Sequence, residues 1–264
     1  SNNIFSSVVN NSRPLTGYEI NYLHERGIML YDSFAYAGKI YTKQSIDKAL
    51  KSETDAQKIQ ELNAIQSNGK FFPGIAPILK KNRIQIKHNY WQGVNSIIYL
   101  IDYDFDNDYE LQQYAQFLPN TERHMAIQKT LDEEHEKKAL GKTDFTWIAE
   151  GINNKNHKVY VCEGMEDALS YVQNGERAVS LNSISNLTSF TQFLAKNYCR
   201  LKKWEFVISF DHDNAGMQAT ENLEQFFYVY NALNPNKKYT YAVCKYPDTF
   251  HDINDYWKDK LSKG

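Results

Sequence analysis

Residues 157–258 predict an α/β unit built on a mostly parallel sheet flanked by helices, and residues 1–150 predict a mixed α+β subdomain before it. Two observations carry the α/β expectation. Four short apolar runs recur in the second half: Val159–Cys162 (VYVC), Ala178–Leu181 (AVSL), Glu205–Phe210 (EFVISF) and Tyr239–Cys244 (YTYAVC). Each is followed by a stretch of helical character, and that alternation is what a parallel, doubly wound sheet requires. A third observation marks the first half: its hydrophobic period changes from helical to alternating, as when helices precede hairpins.

In chain order, SNNIFSSVVNNS lacks the basic start and apolar core of a signal peptide and reads as a frayed or adapter segment. Thr16–Gly27 is a short helix, with Thr16 as N-cap, Glu19 three residues on and Gly27 as the stop. Ser45–Ser67 reads as one helix on the spacing of Ile46, Leu50, Ile59, Leu62 and Ile65. Ile84, Ile86 and the run Ile97–Ile101, either side of a QGVN turn, read as hairpin β structure. Between Glu110 and Gly141 the chain reads as polar and helical, with Asp132–Lys138 as a solvated face. The loop-like stretch Gly141–Asn156 is the softest boundary. Beyond it the helices are Asp167–Gln173, Leu187–Tyr198, Ala215–Leu233 and Ile253–Leu261.

Composition narrows the function. The 264 residues are long for one domain and comfortable for two of roughly 100–200 residues. With 30 Lys and Arg against 32 Asp and Glu, a uniformly basic nucleic-acid coat is disfavoured, although a local basic patch is not. Aromatic residues make up 14%, which argues for a folded chain. Three widely separated cysteines offer no zinc spacing and fit a reducing compartment. No run of about 18 apolar residues exists, so the expectation is a cytoplasmic protein with no membrane partner.

The chemistry gathers at the carboxyl ends of the strands, where open α/β sheets place ligands. Glu163-Gly164 and Asp167 follow VYVC. Asp211-His212-Asp213-Asn214-Ala215-Gly216 follows EFVISF, and His251-Asp252-Ile253-Asn254-Asp255 lies beyond YTYAVC. Parallel strands bring these ends together, so Glu163, Asp211, Asp213 and Asp252 are expected to converge. Unneutralised carboxylates repel by roughly 4 kcal/mol per pair at about 4 Å and an effective dielectric of about 20. A hard divalent cation, Mg²⁺ or Mn²⁺, removes that cost. Gly164 and Gly216 leave room for a nucleotide to approach the backbone. Taken singly, Asp211 and Asp213 also read as a helix cap, and Glu163 as a helix-start acid favoured by the dipole. Their order after successive strands is what favours a site.

On these motifs, Val159–Trp257 resembles a TOPRIM domain, whose hallmark is a Glu after the first strand and an Asp-x-Asp after a later one. Within that group EGMEDAL is similar to the EGYMDVI motif of bacterial-type DNA primases, and FDHDNAG to their DGDxAG motif. HDINDYW resembles the late DPD motif and the KDWND variant of plasmid- and phage-borne relatives. AVSLNSISNLTSF resembles the segment between the hallmarks and, by that likeness, puts Asn182 near the nucleotide. A fainter likeness joins INYLHERGI to the YLKxRGI helix that opens the primase core. His212 stands where replicative primases carry a small residue. The zinc-binding and helicase-interaction domains of full primases have no counterpart here, so the chain reads as an isolated catalytic core or a piece of a larger protein.

The resemblance implies primer synthesis on single-stranded DNA from nucleoside triphosphates, with Glu163, Asp211 and Asp213 catalytic and Asp252 completing a Mg²⁺ or Mn²⁺ shell. It implies nucleotide contacts at Gly164, Asp167, Asn182 and Gly216, and a replicative helicase as a candidate partner. The same carboxylates would serve a TOPRIM nuclease, and a non-catalytic replication-accessory protein keeping the fold is a third reading. Lys80, Lys81, Arg83 and Lys87, interleaved with His88, Tyr90 and Trp91, form the one basic, aromatic stretch suited to a template strand, and read equally well as a solvated hairpin. The run Asp102–Asp108 lacks the Gly and Glu of a calcium loop, so an EF-hand is rejected.

Overall fold

The computed structural model describes residues 2–79, 84–91, 94–102, 124–131, 137–139, 141–148 and 156–263. Its strands are, in order, β1 (Ser12–Arg13), β2 (Ser33–Tyr36), β3 (Lys39–Thr42), β4 (Lys70–Phe72), β5 (Ile78–Leu79), β6 (Ile84–Trp91) and β7 (Val94–Asp102). They continue as β8 (His124–Thr130), β9 (Lys137–Ala139), β10 (Thr146–Ile148), β11 (Lys158–Cys162), β12 (Arg177–Ser180), β13 (Glu205–Ile208) and β14 (Thr240–Val243).

The first half holds two antiparallel sheets. The larger runs β1-β6-β7-β8-β9 with β5 on β6, and the smaller runs β3-β2-β4. Period-two alternation gives the larger sheet two apolar faces. Ile97, Tyr99 and Ile101 of β7 join Ile84, Ile86, Met125 and Ile127 in the main core. Ile98 and Leu100 point the other way, with Ala126, and are covered by Val8 and Phe5. That second face explains why Asn2–Asn10 is a helix and not the frayed segment expected from its composition: Val8 is fully buried against the sheet.

Two further differences from the sequence reading have local causes. Ser45–Ser67 is two helices, Lys43–Ser52 and Ala56–Asn68, because the Asp55 carboxylate accepts from the Gln57 and Lys58 N–H groups and starts a new helix. The segment read as helical contains β8 and β9, since Met125 and Ile127 alternate with Ala126 and Gln128 to fill opposite sheet faces. The segment 103–123 lies outside the described residues, as does most of the acidic runs at 102–108 and 132–138. The first capped helix is as expected: it spans Gly17–Glu25, the Thr16 N–H donates to Glu19 Oε2 at 2.8 Å, and Gly27 has φ +78°.

The second half is the mostly parallel sheet, in the order β10-β12-β11-β13-β14. β12, β11, β13 and β14 run parallel, while β10, drawn from upstream of residue 157, closes the edge antiparallel. Helix Met165–Val172 packs on Ile253–Lys263, and Leu187–Lys196 packs on Asn214–Leu233. The chain leaves β11 for β12 on one side and then crosses to β13 on the other. Glu163 and Asp211 therefore emerge at the point where strand order reverses, the crevice that open α/β sheets use for ligands. The main core runs unbroken from Leu23, Ile28 and Leu30 through Tyr99 to Val161 and Ile208.

Candidate active site

Backbone pairing continues past the strand ends and sets the site. The Ser209 N–H reaches the Val161 carbonyl at 2.8 Å, and the Leu181 N–H reaches that of Cys162 at 2.9 Å. The residues that follow are thereby level with one another. Glu163 Oε1 accepts from the Asp211 N–H at 3.1 Å, joining the first motif to the second. Gly216 faces this junction closely. A Cβ there would lie 2.1 Å from the Asp211 carbonyl oxygen and 2.7 Å from Glu163 Oε1. Its requirement is close approach, with no unusual φ involved.

Asp213 caps the helix Asn214–Leu233, its Oδ1 accepting from the Gly216 N–H at 2.7 Å. Its other oxygen faces His251 Nε2 at 4.0 Å, so capping and a site role coexist. Asp252 accepts from the Asp255 N–H at 2.7 Å at the start of Ile253–Lys263. Donor atoms of Asp167, Asp211 and Asp252 lie within 4.8 Å of one another, and so do those of Asp211, Asp213 and His251. Asp211 is common to both groups. Burial first, and then the charges of Glu163 and Asp252, push its carboxyl up to about 7, with His251 opposing. Burial likewise raises Asp252, against the stabilising Asp255 N–H. An assembly of carboxylates that raises its own central member to neutrality fits a divalent cation: oxygen-rich, hard, and short of positive charge.

Beside the carboxylates is a cavity of about 270 Å³, lined among others by Glu163, Gly164, Asp167, Asn182, Asp211 and Asp252. Gly164 is the N-cap of helix Met165–Val172. Asn182 reaches the cavity wall in a left-handed conformation, φ +62°. Its amide nitrogen donates to the Asp144 carbonyl at 2.9 Å and to Thr146 Oγ1 at 2.8 Å, and its oxygen accepts from Ser180 Oγ at 2.7 Å. That amide therefore holds β10 to the end of β12 and shapes the wall.

The cavity also receives residues that sequence reasoning missed. Lys129 of β8 pairs opposite Ile97, on the main-core face, and its Nζ meets Glu166 Oε2 at 2.6 Å while 8% exposed. The buried Tyr99 hydroxyl lines the same space with no hydrogen-bond partner among the described residues. Both were hidden because sheet pairing far upstream, and helix periodicity wrongly assigned to β8, decide which way they point. His251 was legible in principle, standing directly before Asp252.

Of the Lys and Arg residues in the basic stretch, only Lys87 is described. Lys87 pairs opposite Ile98, on the sheet face away from Tyr99 and the cavity. Lys80, Lys81 and Arg83, and the Trp91 side chain, lie outside the described residues.

A mostly parallel α/β domain with carboxylates at its switch point defines a class of acidic-site domains. Residues 160–257 match the family model described as Toprim-like. No curated protein shows significant similarity to the chain. Among solved structures, the chain is similar to the primase fragment of the bacteriophage T7 primase-helicase protein, at 20% identity and TM-score 0.42 over 71% of this chain and 70% of that one. It is also similar to a chain in the complex of bacteriophage T7 lagging-strand DNA polymerase with primase domains of two gp4 subunits, bound to an RNA/DNA hybrid and dTTP. That match has 18% identity and TM-score 0.42, over 67% of this chain and 78% of that one. No helix among the described residues is long and apolar enough to cross a membrane.

Proposed function

We propose that the protein is a primase-type nucleotidyltransferase that makes short oligonucleotides on single-stranded DNA. The observation that carries this is Asp211, shared between two ligand groups at the switch point of the segment that matches the Toprim-like model, and raised to about 7 by burial and then by the charges of Glu163 and Asp252. On this reading Glu163, Asp211, Asp213 and Asp252 hold Mg²⁺ or Mn²⁺, with Asp167 supporting them. When bound, the cation neutralises the triphosphate and the charge developing on the leaving pyrophosphate.

The chain's own groups supply the rest. Glu163, oriented by the Asp211 N–H, serves as ligand or as general base for the primer 3′-hydroxyl. Gly164 and Gly216 admit the nucleotide close to backbone, and Asn182 shapes the wall against it. Residues 1–150 form the unit that holds the template and 157–258 the unit that does the chemistry. Lys80, Lys81, Arg83, Lys87 and Trp91 are the proposed template contacts, with a replicative helicase as a further partner.

The test is a single-stranded template with labelled nucleoside triphosphates and Mg²⁺ or Mn²⁺. New short oligonucleotide supports the proposal, and Asp211→Asn with Asp213→Asn should abolish it. Template degradation without incorporation makes the protein a nuclease using the same carboxylates on water. Neither outcome makes it an accessory binder. Changing Lys80, Lys81 and Arg83 to Ala should weaken template binding and flatten its salt dependence. On single strands the slope should fall by about 0.7 for each phosphate that is no longer neutralised.

A further inference from the structure

One candidate ligand in the site is a nitrogen. His251 Nε2 stands 3.6 Å from Asp211 Oδ2 and 4.0 Å from Asp213 Oδ2. Both separations exceed hydrogen-bonding distance, so the imidazole faces the two carboxylates without bonding to either. Its place is set from outside the pair. The His212 N–H donates to the His251 carbonyl at 2.7 Å. The His212 ring Nδ1 lies 2.9 Å from the Phe250 carbonyl oxygen. That ring also stacks on Tyr246 at 3.9 Å, and the Tyr246 hydroxyl donates to the Phe210 carbonyl at 2.8 Å. The loop carrying His251 is thus stapled at several points to the turn carrying Asp211 and Asp213. His212, the residue that departs from the usual small one, makes most of the staple.

We propose that His251 is a metal ligand, which with Asp211 and Asp213 forms a mixed nitrogen–oxygen position that favours Mn²⁺ over Mg²⁺, beside an all-oxygen position at Asp167, Asp211 and Asp252. The inference rests on the carboxylates being a metal centre. Neighbouring donors in an octahedral shell with bonds of about 2.1 Å sit about 3 Å apart. Nε2 therefore has to close by roughly 0.6 Å on one oxygen and 1 Å on the other, a small rotation for a half-exposed side chain. Mg²⁺ holds oxygen ligands and dehydrates reluctantly, whereas imidazole suits first-row transition ions. The two halves of the site differ in donor chemistry, and that difference would let them sort ions.

The test is pulsed electron paramagnetic resonance on the full chain with Mn²⁺, which detects ¹⁴N coupling from a bound imidazole independently of activity. Wild type should show the coupling, and His251→Ala and His251→Gln should lose it while still binding Mn²⁺ through the carboxylates. Competition titration should show the Mn²⁺-to-Mg²⁺ affinity ratio falling by about tenfold or more in His251→Ala. Bound Mn²⁺ without nitrogen coupling in the wild type overturns the inference and leaves the metal centre standing. So does coupling that survives His251→Ala. Failure of the wild type to bind Mn²⁺ at all overturns the metal centre itself, and the His251 role with it. If His251→Ala fails to fold, His251→Gln makes the same comparison with the wild-type spectrum.

Discussion

Replacing Asp211 by Asn should stabilise the metal-free protein, and the gain should grow with pH. Burial, Glu163 and Asp252 raise the Asp211 carboxyl from an ordinary 3.8 to about 7. A displacement of that size corresponds to roughly 4 kcal/mol between the two protonation states. The side chain is 19% exposed, and solvent screening reduces the figure to about 2–3 kcal/mol. The folded-state value lies above the unfolded one. The contribution is therefore fully present below pH 4 and is lost as pH rises from about 4 through 7. Asn cannot ionise and loses nothing over that window. Asp252 shifts in the same direction but is present in both proteins. Urea unfolding in the presence of chelator, at a series of pH values, should give variant and wild type similar stability near pH 4. The variant should be more stable by about 2 kcal/mol near pH 8. Added divalent cation should then invert the order, since a ligand at 100 times its Kd contributes about 2.7 kcal/mol to the form that binds it. A difference that does not change with pH, or an Asn variant less stable at pH 8 without metal, would refute the reasoning.

Gly216→Ala should lose at least about 2 kcal/mol in the same unfolding assay, because its Cβ would meet the Asp211 carbonyl oxygen at 2.1 Å, backbone that cannot yield cheaply; a neutral result would mean the turn is looser than it stands. At position 213 the helix cap and the charge separate: Asp213→Asn should keep the 2.7 Å bond from Gly216 and its stability, whereas Asp213→Ala should cost about 1 kcal/mol, both read by thermal melting without metal. Asn182→Ala should cost about 2–3 kcal/mol by leaving buried groups of Asp144, Thr146 and Ser180 without their partner, measured by denaturant unfolding; a loss below 1 kcal/mol would show that the amide does not hold β10.

The parallel sheet was legible because each of its strands is short, apolar and followed by a helix with its own start signal. Asp213 caps Asn214–Leu233, Gly164 caps Met165–Val172, and Asp252 starts the last helix. Local chemistry and topology agree there, so the motif residues were found in order. The first half obeyed different rules. Helix Asn2–Asn10 exists because a two-faced sheet needed a cover, and nothing in SNNIFSSVVNN announces the sheet that Val8 will meet. In β8, Met125, Ile127 and Lys129 share a face only once pairing with β7 fixes the register. Three alternating positions in a polar stretch were too few to outweigh the charged helix-formers around them.

Those illegible pieces matter to the site because they supply what the carboxylates lack. Glu163, Asp167, Asp211, Asp213 and Asp252 are all acidic, and nitrogen-bearing side chains set beside them come from elsewhere in the chain. Lys129 arrives from the antiparallel sheet, and His251 arrives from the loop that His212 fastens down. Lys129 is met in turn by Glu166 at 2.6 Å, and the same Glu166 oxygen is met by Arg26 at 3.4 Å, so one carboxylate serves two cations. A phosphate reaching the cavity would have to compete with a carboxylate on the adjoining helix for the same ammonium. The site thus couples the two halves of the chain through Glu166, which meets Lys129 at 2.6 Å and Arg26 at 3.4 Å, and the core from Leu23 to Ile208 holds those contacts beside the carboxylates. A change that loosened the sheet under Lys129 would disturb the site without touching any motif residue.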